Sequence, residues 1–122
     1  MKPLNPDIVP ANLDQAINTI IEALDSSEIS GFRSGKLDAV SVHHTLGQLI
    51  RNSWSLWERD TTLSLWFRNN LKIGHADDIS GVIILSMIAR LKNESFFPQL
   101  LIEEYHEHWR QFGCDMYGDP IS

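Results

Sequence analysis

Two stretches of this chain concentrate its ionisable and metal-ligating side chains. One is Ser41-Val42-His43-His44-Thr45-Leu46-Gly47-Gln48-Leu49-Ile50-Arg51-Asn52; the other is Gly74-His75-Ala76-Asp77-Asp78-Ile79-Ser80-Gly81. In both, imidazole, guanidinium or carboxylate groups stand among strongly apolar neighbours. On a helix, His44, Gln48, Arg51 and Ser55 share a face, because residues three and four apart are neighbours. His43 lies about 100° round the helix from His44 and cannot share that face fully. In the second stretch His75 takes an N-cap position. Asp77 and Asp78 then fall in the first turn, where each carboxylate meets the positive end of the helix dipole for about 0.3–1 kcal/mol. Asp78, three residues after His75, can close a capping box. Arg51 would pair with Asp77 or Asp78, since a guanidinium suits bidentate contact with a carboxylate. The preferred reading is a structural polar cluster of His43, His44, Arg51, Asn52, His75, Asp77 and Asp78. Caps and interhelix ion pairs are commoner than sites.

The chemical alternatives are weaker. His43 or His44 with His75 and Asp77 or Asp78 would supply a His/His/Asp set adequate for zinc or iron. Adjacent histidines, however, do not have the i, i+3 or i, i+4 spacing of helix-borne ligands. Glu103-x-x-His106, followed by Glu107 and His108, has the spacing of a di-iron helix, but no second Glu-x-x-His exists in the chain to complete it. That segment reads as a solvated acidic face. The single cysteine, Cys114, stands next to Asp115, which disfavours a thiolate, and one thiol allows neither an internal disulfide nor a Cys-based zinc site. There is no nucleophile elbow, no P-loop and no dinucleotide-binding turn. Trp54, Trp57, Trp66 and Trp109 stand at helical spacing beside Leu and Ile, and so read as core rather than as a base-stacking platform. No catalytic residue, metal or cofactor is expected.

The pattern His-His-x-x-Gly-x-x-Ile-Arg-Asn-x-Trp-x-Leu-Trp, followed by His-x-Asp-Asp-x-Ser-Gly-x-Ile, resembles a small bacterial domain family of unknown function. The resemblance covers about residues 41–91. It implies a common fold and core and no particular reaction.

These residues must be carried by helices, because no segment alternates apolar and polar for long enough to make a strand. Pro3, Pro6 and Pro10 keep residues 1–11 extended. A first helix starts after Asn12 and carries Leu13, Ala16, Ile17, Ile20, Ile21 and Leu24 on one face. Residues 25–38, with Gly31, Gly35 and several Ser, read as a loop. A second helix over 41–57 is apolar on two sides, and Gly47 within it points to a close helix crossing. A short third helix follows over 61–70, ending before Gly74. The fourth, over 76–91, has almost no polar face and must be central. A fifth spans 97–112, and residues 113–122 form a tail. The expected architecture is all-α: one compact domain over 1–122, with five helices around the apolar helix at 76–91.

Composition narrows the function. The 122 residues are 43% hydrophobic and 21% charged, with a formal net charge of −6. Disorder and a disulfide scaffold are thereby excluded. Acids dominate both ends: five acids against one Lys in residues 1–30, and six acids against Arg110 in residues 94–122. This argues against nucleic acid and for a basic protein partner. No stretch reads as a signal peptide. The longest apolar run, 79–91, falls short of the ~18 residues of a membrane span. The expectation is a small acidic cytoplasmic protein, not an enzyme, that inhibits or neutralises a protein partner, like immunity proteins or phage inhibitors of defence enzymes. Its candidate contact residues are Glu103, Glu104, Glu107, Asp14, Glu22 and Asp25. The alternatives are a metal-dependent enzyme using His43, His44, His75, Asp77 and Asp78, or an interaction domain without enzymatic role. Both monomer and homodimer remain open.

Overall fold

The computed structural model describes residues 1–121 and is all-helical. The helices are α1 (Leu13–Ala23), α2 (Ser26–Ser34), a π-helical turn at His43–Gly47 running into α3 (Gln48–Ser53), α4 (Thr62–Leu71), α5 (Ala76–Leu91) and α6 (Gln99–Gln111). The apolar run that predicted a central helix becomes α5. Ile79, Val82, Ile83, Ile84 and Met87 are at most 1% exposed there. α1, α2, the π turn and α3 all pack on α5. α1 buries Ala16, Ile17 and Ile20, and α4 buries Leu63 and Phe67. Trp54 is fully buried, and its indole Nε1 has no hydrogen-bond partner among the described residues. Trp57, expected in the core, is 56% exposed.

Three segments depart from the expected pattern. The loop expected at 25–38 contains α2. Asp25 accepts from the Glu28 amide at 2.8 Å, Glu28 accepts from the Asp25 amide at 3.0 Å, and Gly35 ends the helix at φ 81°. This reciprocal cap, with Phe32 buried to 2% exposure, outweighs the weak helix propensity of Gly and Ser. The helix expected over 41–57 is shorter and irregular. It opens as a π turn, with the Gly47 amide donating to the Val42 carbonyl at 2.9 Å, and stops before Ser55 at φ 52°. Gly47 does lie against α5, 3.6 Å from Ile84 Cδ1. Its missing side chain mainly makes room for Arg51, whose guanidinium lies 2.8 Å from where a Cβ would stand. The tail expected at 113–122 folds back over its described part. Asp115 Oδ1 accepts from the Tyr117 and Asp119 amides, and Arg59 donates to the Tyr117 carbonyl and to Asp119 at 3.1 and 2.9 Å. The Arg68 guanidinium lies 3.7 Å from the Tyr117 ring centroid.

Candidate functional site

The π turn, α3 and the first two turns of α5 bring most of the polar cluster together. Arg51 leaves α3 and turns back along its own helix, over Gly47. Its Nη2 donates to the His43 carbonyl at 3.1 Å and its Nη1 to Ser80 Oγ at 2.9 Å. Its Nε stands 3.4 Å from Asp77 Oδ1. The guanidinium side is closed, with the Arg51 side chain 6% exposed, whereas Asp77 is 45% exposed. Ser80 hands its own hydroxyl proton to the Asp77 carbonyl at 3.1 Å. The arginine therefore ties the irregular turn to the head of α5.

His75 caps α5 as expected: its Nδ1 lies 3.1 Å from the Asp77 amide, which donates to it. Its ring lies 4.8 Å from that of Trp109 and 5.9 Å from that of Trp57. The capping box proposed for Asp78 does not form. Asp78 instead accepts from Trp109 Nε1 at 2.7 Å and so holds α6 to α5. Burial pushes the Asp78 carboxyl above its ordinary value, against the lowering effects of the Trp109 hydrogen bond and of His75. Asn52 is exposed and takes no part in these contacts.

The outer side of this cluster is an open groove of about 450 Å³. The π-turn side contributes Ala39, Val40, His43 and His44; α5 contributes Asp77, Asp78, Gly81 and Leu85; α6 contributes Tyr105. The His43 and His44 rings meet edge to face at 4.9 Å. Among the described residues, no three His, Cys, Asp or Glu side chains are placed to hold a metal ion. His106, read from the sequence as part of a solvated face, stands with Nε2 2.7 Å from the Lys72 carbonyl, which it must donate to, and so helps dock α6.

The acidic candidates separate into two groups. Asp14 is paired with Arg90 at 2.6 Å, Asp25 is taken up in capping α2, and Glu107 is paired with Arg110 at 2.6 Å. Glu22, Glu103 and Glu104 are exposed.

Residues 9–91 match the family described as a domain of unknown function, DUF6794. The chain belongs to the DUF6794 family. No curated protein and no solved structure matches it. The DUF6794 region contains α1 to α5, and with them Arg51, Ser80, His75 and both Asp77 and Asp78. Tyr105 and Trp109, which complete the surroundings of the groove and of Asp78, lie outside that region. Sequence reasoning placed neither Ser80, Tyr105 nor Trp109 in the cluster. Ser80 carried a usable signal, being one helical turn from Asp77 on the buried side of α5. No local spacing links Asp78 to Trp109. No helix among the described residues is long and apolar enough to cross a membrane.

Proposed function

We propose that this DUF6794 protein is a binding protein that occupies a partner protein carrying a basic surface, and thereby inhibits or neutralises it. The outer face of α6 carries this reading. Leu100, Glu103 and Glu107 stand there at three- and four-residue spacing, with Glu104 beside Glu103, all exposed. Leu100 is 73% exposed, and Phe97, just before the helix, is 75% exposed. Two large apolar side chains beside an acidic row match the make-up of a protein interface, an apolar anchor with a charged rim. Asp14 is paired with Arg90, Asp25 caps α2 and Glu107 is paired with Arg110, so among the described residues the unpaired acids of this surface are Glu103 and Glu104 on α6, with Glu22 exposed on α1.

Charges at such a rim act mainly on the association rate and are screened by salt. The test is to co-purify the partner from the source cells, identify it, and measure association with the purified pair. Reversing Glu103, Glu104 and Glu107 to Lys should leave the melting temperature nearly unchanged. Association at low salt should slow by about tenfold or more, and the difference should shrink as salt rises. Leu100→Ser should act on dissociation instead. An identified partner that associates with the reversed variant at the wild-type rate at every salt concentration would overturn the reading.

A further inference from the structure

The groove between the π turn and α6 has a mixed lining of polar and apolar side chains. Asp77 and His43 lie at the head of α5 and on the π turn, while Leu85 and Val40 line the groove further along α5 and at its rim. Val40 is 86% exposed, an apolar side chain left at the mouth. Gly81 forms part of the floor because the Tyr105 hydroxyl occupies the space of a side chain there, 2.6 Å from where a Cβ would stand. Tyr105 makes no side-chain hydrogen bond among the described residues, and its hydroxyl is not a buried orphan, so it opens on the groove. Burial first, and then the carboxylates of Asp78, Glu104 and Asp77, push the Tyr105 phenol well above its ordinary value. Those three carboxylates make the field at the hydroxyl negative.

We infer that this groove receives the side chain of one arginine supplied by the basic partner, with the guanidinium at Asp77, His43 and Tyr105 and the alkyl stem along Leu85 and Val40. The inference rests on the reading of the protein as a binder of a basic partner, and it places a specific anchor beside the acidic face of α6. Arginine fits better than lysine. Its planar fork presents five donors, and the groove lining includes the Asp77 carboxylate, the His43 ring and the Tyr105 hydroxyl. Asp77 lines the groove half-exposed, with Arg51 Nε 3.4 Å from Oδ1 and His75 Nδ1 3.9 Å from Oδ2, so neither oxygen is closed off by a short direct hydrogen bond from those groups. An arginine stem also gains from lying on apolar surface while its head stays polar.

The test uses the full chain, labelled for amide NMR, and two probes: acetyl-Gly-Arg-Gly-amide and the same peptide with citrulline, which is neutral and nearly the same shape. The arginine peptide should move the amides of His43, Asp77 and Gly81 saturably, with a dissociation constant on the order of 1 mM. The citrulline peptide should bind at least about tenfold more weakly, the loss of one charged contact. Tyr105→Phe, which keeps the ring, should weaken the arginine peptide several-fold. In a Glu103→Lys, Glu107→Lys chain the groove shifts should persist. Equal shifts from both peptides, or arginine shifts confined to the acidic row of α6, would overturn the inference. So would groove shifts that vanish on that charge reversal. These outcomes are separate from failure of the α6 reading, which is measured with the identified partner and needs no groove signal.

Discussion

Removing Arg51 tests whether the polar cluster holds the irregular turn in place. The side chain is 6% exposed and makes hydrogen bonds to the His43 carbonyl and Ser80 Oγ as well as an ion pair with Asp77. Breaking a fully buried ion pair costs about 3–5 kcal/mol because the abandoned charge stays dry. That figure is too high for the carboxylate here, since Asp77 is 45% exposed and water can solvate it. Its own share falls into the range of surface pairs, about 0–1 kcal/mol. The larger loss is on the other side. Two hydrogen bonds from a charged donor disappear, each of the class that contributes about 1.5–3 kcal/mol, and the vacated volume lies over Gly47. Some of this is recovered where water reaches the His43 carbonyl, so Arg51→Ala should cost about 3 kcal/mol. Asp77→Asn should cost under about 1 kcal/mol. Arg51→Lys, with a single ammonium in place of the fork, should recover only part of the loss. Urea melts followed by helical circular dichroism measure all three. An Arg51→Ala protein within about 0.5 kcal/mol of wild type would refute the reasoning, as would an Asp77→Asn protein destabilised as much as Arg51→Ala.

Two further outcomes follow from α5 and its cover. The folded Asp78 carboxyl lies above its unfolded value, so its contribution to stability is present below the unfolded value and is lost as pH rises through the folded one. Asp78→Asn keeps an oxygen to accept from Trp109 and removes the buried charge. Relative to wild type it should therefore gain stability on going from acid to neutral pH in denaturant melts, and a difference that does not change with pH would count against this. Gly81→Ala places a methyl 2.6 Å from the Tyr105 hydroxyl, which must move aside. The helix-propensity gain of about 1 kcal/mol should therefore be masked in wild type and recovered in a Tyr105→Phe background. Simple additivity of the two substitutions would show that the hydroxyl does not press on Gly81.

The parts of the fold legible in the sequence were those encoded within one element. α5 needed only its nearly continuous apolar pattern, interrupted at Ser80, Ser86 and Arg90, and α1 its cap and single stripe. The 25–38 segment differs for a local reason: its Gly and Ser content reads as a loop, whereas the Asp25-x-x-Glu28 capping box starts a helix there. The 41–57 segment failed for a tertiary one. A period of 3.6 cannot report that a guanidinium will fold back along its own helix, and it is this contact to the His43 carbonyl that accompanies the π turn. Gly47 alone points to a helix crossing, whereas the first neighbour over it is Arg51 and only then Ile84 of α5.

The same distinction governs the candidate site. The sequence narrows the partner of Arg51 to Asp77 or Asp78 because these residues lie in elements whose helical faces it defines, and the structure selects Asp77. Asp78 was assigned to a cap because its nearest local donor is the helix start, yet it goes to an indole 31 positions further on. A buried carboxylate takes the donor that tertiary packing brings, since leaving it unpaired costs more than a cap contributes. Through that bond α6 is fixed over the head of α5, with Tyr105 beside the groove and Glu103 and Glu104 turned to solvent. The acidic face of α6 and the groove are thus held to the family region by this hydrogen bond together with the contact from His106 to the Lys72 carbonyl. Loss of the Trp109 bond should loosen α6 while leaving the core of α1 to α5 folded. Amide exchange on Trp109→Phe should show faster exchange across α6 and unchanged protection in α5, and a uniform rise across both helices would show instead that α6 is an integral part of the core.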